Sequence, residues 1–139
     1  MNFQFELVEG RESQIQALFE LLRSRVHFIS HDKLTTYLEH KIFVENHPYR
    51  EWYLVKNLTN YVGSFYVKND NSIGLNLDPV NDQIVSSCLK FIREKLKPME
   101  PVASLVPNYF YINVASSNSQ LIGILDVLSE CKLQVSYRI

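Results

Sequence analysis

Between Trp52 and Leu77, three short segments rich in β-favouring residues follow one another with only polar turns between them, and this restricts the fold more than any other feature. Trp52-Tyr53-Leu54-Val55 is followed by the polar stretch Lys56-Asn57-Leu58-Thr59-Asn60. Tyr61-Val62-Gly63-Ser64-Phe65-Tyr66-Val67 comes next and closes on Lys68-Asn69-Asp70-Asn71. In the third segment Ile73, Leu75 and Leu77 alternate with Ser72, Gly74 and Asn76, the two-residue period of a strand with one apolar face. Turns this short join antiparallel neighbours, so the three segments predict a meander.

Helical periodicity surrounds the meander. Phe3, Phe5 and Leu7 alternate as a first strand, and Gly10-Arg11-Glu12-Ser13 turns the chain into a helix with Ile15, Leu18, Phe19 and Leu22 on one stripe. Ser30 is expected to cap a second helix, with Asp32 in its first turn and Leu34, Leu38 and Ile42 as its apolar face, stopped by Pro48. A third helix is expected from Asn81 or Asp82, with Val85, Cys88, Leu89, Ile92 and Leu96 inward, ended by Pro98 and Pro101. Phe110, Ile112 and Val114 alternate as a further strand. Leu121, Ile124, Leu125 and Leu128 then form a last helix behind Ser117 or Asn118, and Val135, Tyr137 and Ile139 a final strand. The expected order is β-α-α-β-β-β-α-β-α-β, an α+β fold with helices flanking a mostly antiparallel sheet.

A length of 139 residues fits one domain spanning 1–139, with 46% hydrophobic and 21% charged residues, the balance of a globular chain. The formal net charge of −1 supplies no broad attraction for nucleic acid or anionic membrane, so neither is expected as a partner. Met1 to Val8 carries no basic and apolar leader pattern, no stretch is long enough to cross a bilayer, and a cytoplasmic location is expected. Cys88 and Cys131 both fall in helix-like apolar patterns and read as buried free thiols. Asn57-Leu58-Thr59 matches a glycosylation sequon, a coincidence in a chain without that leader.

The succession of elements resembles the GNAT acetyltransferase superfamily over nearly the whole chain. Trp52–Val55 with Tyr61-Val62-Gly63-Ser64-Phe65 is similar to that family's second and third strands. Ser72-Ile73-Gly74-Leu75-Asn76-Leu77-Asp78-Pro79 is similar to its fourth, and Ile112-Asn113-Val114-Ala115-Ser116-Ser117-Asn118 to its fifth strand and the Asn opening the next helix. The resemblance implies an acyl-CoA-dependent N-acyltransferase acting on a small amine, with acetyl-CoA or another acyl-CoA as cosubstrate and direct transfer. It also implies that the fourth and fifth strands splay and that the pantetheine arm lies along Leu75, Asn76 and Leu77, where unpaired backbone groups can bond its amides. The pyrophosphate would sit at the third helix's N-terminus, near Gln83, Ile84, Val85 and Ser86, with Asn118 opening the helix beyond.

Two departures from the family pattern stand out. Where it carries Q/R-x-x-G-x-G/A, this chain reads Asn81-Asp82-Gln83-Ile84-Val85-Ser86, so both glycines are replaced and Asp82 adds charge beside the expected diphosphate. Weak or displaced CoA binding is expected. The tyrosine that many relatives carry in the last helix as an acid is here Ile124. Tyr66 and Tyr111, on central strands, are the candidate catalytic acids, each also readable as an amphipathic ring filling the sheet surface. His47 and Glu51 flank the second strand and could border an acceptor pocket. A catalytically inactive GNAT-like ligand-binding or protein-interaction module is the alternative function.

His27 and His31 have the i, i+4 spacing of a metal pair, followed by His40 and His47, but a helix boundary between the first two would spoil a shared face, and no metal is expected. The short terminal strand would leave a sheet edge on which two copies could pair as a homodimer.

Overall fold

The computed structural model describes residues 2–25 and 35–139. Among them the chain runs β1 (Phe3–Leu7), α1 (Glu12–Arg23), α2 (Tyr37–Glu45), β2 (Glu51–Asn57), β3 (Asn60–Val67), β4 (Ser72–Leu77), α3 (Asp82–Lys95), β5 (Tyr111–Ile112) and α4 (Ser119–Leu128). The strands form one sheet in the order β1-β2-β3-β4-β5, antiparallel except for the parallel β4–β5 pair. The fold is therefore α+β, with a mixed sheet whose antiparallel part contains the expected meander. Among the described residues no helix is long and apolar enough to cross a membrane.

Alternation along the strands divides the core in two. On one face Val55, Phe65, Val67, Ile73 and Leu77 pack against Ile84, Val85, Cys88, Leu89 and Ile92 of α3 and Leu121 of α4. Phe91 of α3 stacks on Phe5 at 4.4 Å and meets the Tyr53 and Phe65 rings edge-on. On the other face Trp52 and Leu54 pack against Ile15, Leu18 and Leu21 of α1 and Val44 of α2. Burial pushes the Cys88 thiol up to about 12, so it behaves as a small apolar side chain. Cys131, expected inside, is exposed because α4 ends at Leu128.

The first helix buries a polar residue at its start. Gln14, fully buried, accepts from the backbone N–H of Glu9 at 2.7 Å and donates to the Leu7 carbonyl at 2.9 Å and Glu6 Oε2 at 3.0 Å. It satisfies the chain reversal between β1 and α1, where no ladder is available. That hydrogen bond, helped by Tyr61, Lys56 and Arg11, holds the Glu6 carboxyl below the usual glutamate value against the opposing effect of burial.

The second helix differs most from expectation. Ser30, Asp32 and Leu34, like His27 and His31, lie outside the described residues. The helix starts at Tyr37 because Thr36 and Glu39 form a reciprocal capping box. Leu38 and Ile42, expected inward, are 66% and 55% exposed, while His40 and Val44 are buried. The cap and the pairing of Glu12 with both the Tyr37 hydroxyl and Lys41 fix the helix's rotation. His40 then faces the Phe19 ring at 5.5 Å, and desolvation lowers its pKa, favouring the neutral ring.

The strand expected at Val135, Tyr137 and Ile139 is absent. Residues 129–139 join no strand ladder with the described residues, and all are exposed. Alternating sequence makes a strand only when an edge is offered to it, and this segment pairs with none among the described residues. The fifth strand is also shorter than the Phe110–Val114 alternation suggests, with a ladder of two residues.

What places that short strand is Asn71, fully buried in the β3–β4 turn at a φ of 70°. Its side chain accepts from Met99 N–H at 2.7 Å and donates to the carbonyls of Pro107 at 2.8 Å and Met99 at 3.2 Å. Its own carbonyl accepts from Tyr111 N–H. Asparagine suits the position because it tolerates the left-handed region and offers donor and acceptor on one short side chain.

Replacing Asn71 by Ala is expected to destabilise the fold by about 2–4 kcal/mol, and by Asp at least as much, because a carboxylate would face two carbonyls. Urea denaturation midpoints check both. For Glu6, stability linked to the lowered carboxyl pKa is present above the ordinary glutamate value and lost as pH falls through the lowered one. Glu6→Gln should therefore destabilise at pH 7, with the gap to the parent narrowing in acid, read from denaturation midpoints across pH.

Candidate functional site

The ladder between β4 and β5 is two residues long. Their register pairs Ser72 with Tyr111 and Ile73 with Ile112, and the N–H of Asn113 donates to the Ile73 carbonyl at 3.2 Å. Beyond this rung β4 continues through Gly74, Leu75, Asn76 and Leu77 with no partner strand on that side among the described residues. Alternation of the ladder assigns each backbone group. Asn71 and Ile73 turn their carbonyls toward β5, so Leu75 and Leu77 direct their backbone groups to the side of β4 away from β3. Asn76 turns its backbone toward β3, where it pairs with Ser64, leaving only its side chain, on the Gly74 face, to serve a ligand.

A helix N-terminus follows each of these two strands, α3 after β4 and α4 after β5. Asn81 caps α3 by accepting from Ile84 N–H at 3.0 Å, and its carbonyl accepts from Val85 N–H at 3.2 Å. The side chains of Ile84 and Val85 are fully buried in the core, so neither residue presents a group for an anion, while Gln83 and Ser86 are exposed. Asp82, also exposed, occupies the first turn. Asn118 caps α4 through Leu121 N–H at 3.3 Å, and Gln120 donates to the Val80 carbonyl at 2.8 Å, tying the two helix starts together. Asn118 is thus a structural cap.

On the α1–α2 face the candidate tyrosines separate. Tyr66 lies over Gly74, where the paired part of β4 ends: a methyl group built on Gly74 would stand 2.5 Å from Tyr66 Oη and 2.6 Å from Cε1. Tyr66 stacks face to face on Tyr49 at 4.0 Å. Tyr111 sits at the paired end, where burial and then the charge and hydrogen bond of Asp70 raise its pKa, making it a poorer proton source. Asp70 also accepts from Ser72 Oγ at 2.6 Å. Tyr66 thus lies beside Gly74, the first β4 residue past the β5 ladder, and Tyr111 lies within that ladder.

A row of rings runs from Tyr66 to a surface recess. Tyr49 meets Trp52 edge-on at 5.1 Å, and His47 meets Trp52 at 5.3 Å and Tyr49 at 5.5 Å. Burial pushes the Tyr49 phenol up to about 12. His47 lines a recess of about 350 Å³ with Val8, Glu9, Gly10, Val44 and Glu45. Desolvation lowers the His47 pKa, and its Nδ1 accepts from Tyr49 N–H at 3.2 Å, which puts the ring proton of the neutral form on Nε2. Glu51, its expected companion, lies apart from the recess and accepts the Tyr53 hydroxyl at 2.9 Å, on the α3 face. Sequence reasoning had no signal for Tyr49 or Gly74, whose roles come from packing alone.

Gly74→Ala should displace the Tyr66 ring from its stack and destabilise the fold by about 1–3 kcal/mol. Near-ultraviolet circular dichroism should report the loss of the stacked tyrosine pair, and Tyr66→Ala in the same background should recover part of the stability. Neither the family models, nor the curated proteins, nor the solved structures compared with this chain contain a match.

Proposed function

We propose that this chain is a GNAT-like N-acyltransferase domain that takes an acyl-CoA along β4 and transfers its acyl group to a small amine. The observation carrying this reading is the end of the β4–β5 ladder after Ile73, past which Leu75 and Leu77 turn their backbone groups away from β3 and Tyr66 lies over Gly74. An extended pantetheine arm has amides spaced to bond such an edge as a strand would. The thioester carbonyl would then lie near Gly74 and Tyr66. The amine nitrogen attacks that carbonyl, the C–N bond forms, the C–S bond breaks, and Tyr66 protonates the leaving thiolate. The proton lost by the amine returns to Tyr66 through water, so the enzyme ends unchanged. The acceptor enters from the recess side, where Glu45 suits a cationic group on it and Nε2–H of His47 can donate to a polar one.

A second reading is favoured by one specific contact. Asn81 already occupies the Ile84 amide, and Asp82 stands in the first turn, so a diphosphate finds fewer free donors and a like charge at α3. A domain that binds a ligand along β4 without catalysis fits that contact.

The two are separated by measuring thiol release from acetyl-CoA over a panel of small amines, together with calorimetric titration of acetyl-CoA. Acyl transfer predicts acceptor-dependent release that falls about 100-fold in Tyr66→Phe, with acetyl-CoA affinity unchanged and weaker than about 10 µM. Binding without release for any amine supports the second reading, and absence of binding overturns both.

A further inference from the structure

Resting on the transferase reading above, we infer that the donor this chain is built to take is an acyl thioester on a bare pantetheine arm. The nucleoside diphosphate of CoA has no place in it, and acetyl-CoA is a weak surrogate. Arm and nucleotide ask for different surroundings. The arm's two amides and methylenes suit a strand edge with apolar neighbours. A nucleotide brings several negative charges, which need cations or free N–H groups. β4 meets the first need: past Ile73 no described strand pairs with its far side, to which Leu75 and Leu77 turn their backbone groups. Leu75, Ile112 and Val114 are partly buried apolar side chains of the core on the α3 face.

The second need is not met. Residues 69–89 and 98–131 hold β4, the first two turns of α3, β5 and all of α4, and they contain no Lys, Arg or His. Lys90, the first cation of α3, follows Asp82 by about 12 Å along the helix axis. Two carboxylates stand there instead. Asp78 comes directly after β4 and Asp82 opens α3; both are exposed, and neither pairs with a cation among the described residues. Each would repel a diphosphate placed beside it. The helix starts are also occupied. At α3 the Asn81 side chain has taken the Ile84 N–H, leaving the N–H groups of Asp82 and Gln83 beside the Asp82 carboxylate. At α4 the N–H of Ser119 donates to the Ser117 carbonyl and that of Leu121 to the Asn118 side chain. A pantetheine thioester meets none of these obstacles. The transfer is unchanged: the acyl group passes to the amine nitrogen, and the pantetheine sulfur leaves as the thiol. Such an arm has two sources, a free thioester or one tethered by a single phosphodiester to a carrier protein.

Thiol release and calorimetric binding are measured with S-acetyl-pantetheine, S-acetyl-phosphopantetheine and acetyl-CoA against one panel of small amines. The expected result is a kcat/KM for S-acetyl-pantetheine at least about 10-fold above that for acetyl-CoA, with tighter binding to match. Asp82→Lys should improve acetyl-CoA by about 5-fold and leave S-acetyl-pantetheine unchanged. The phosphorylated arm separates the sources. Turnover equal to that of S-acetyl-pantetheine assigns a tethered arm, and weaker turnover the free thioester; both agree with the inference. Acetyl-CoA bound and used as well as S-acetyl-pantetheine overturns the inference and leaves the transferase reading standing. Tighter binding of S-acetyl-pantetheine without release for any amine keeps the ligand class and removes the transferase reading. Binding of neither thioester overturns both.

Discussion

The geometry of this protein hangs on the amide side chain of Asn71. A two-residue parallel ladder is too short to define where β5 lies, because its few slanted bonds could slip by a residue at small penalty. Asn71 removes that freedom. Its side chain grips Met99 and Pro107 in the long connection from α3, and its carbonyl takes the first N–H of β5. One buried residue thus joins the meander to a strand that arrives from forty residues further along the sequence. The β4–β5 pair is held by Asn71 at one end, and among the described residues no ladder continues it past Ile73.

Between the two ends stands Gly74. A side chain there would collide with Tyr66, and Tyr66 in turn is held by Tyr49 and the rings around Trp52. Trp52 is buried and its Nε1 has no hydrogen-bond partner among the described residues. The aromatic faces of Phe43, His47 and Tyr49 stand nearly perpendicular to it, a geometry in which ring edges meet negative ring faces. The same packing that fills the α1–α2 core therefore positions the tyrosine hydroxyl over Gly74, next to the end of the β4–β5 ladder. Core and candidate site are one structure, so disturbing either should move the other.

Much of this was legible in the sequence. Alternation and turn chemistry located β2, β3 and β4, because a strand with one buried face writes its period directly into the chain. The inward face of α3 was equally plain, and Asn81 and Asn118 were found at the helix starts where short polar side chains replace missing partners. Where the reading failed, a polar residue had taken an inward position. Gln14 and His40 are buried because local hydrogen bonds or ring contacts compensate them, and no count of apolar residues reveals such partners in advance. For α2, two leucine-like positions at helical spacing outvoted a histidine, whereas the Thr36–Glu39 box and the Glu12 pairing decided the rotation. Asn71 looked like one turn residue among four. Its importance lies in partners 28 and 36 positions away, which periodicity does not encode.

The segment after α4 carries the last lesson. Its alternation is as regular as that of β4, and yet one formed a ladder and the other did not. A strand pattern is a statement about two faces, one apolar and one polar; it says nothing about which edge will supply the hydrogen bonds. For β4 that edge is β3, joined to it by a four-residue turn and so available at high effective concentration. For residues 132–139 no neighbour is joined by a short turn: α4 stands between the segment and β5, and the segment joins no ladder with the described residues.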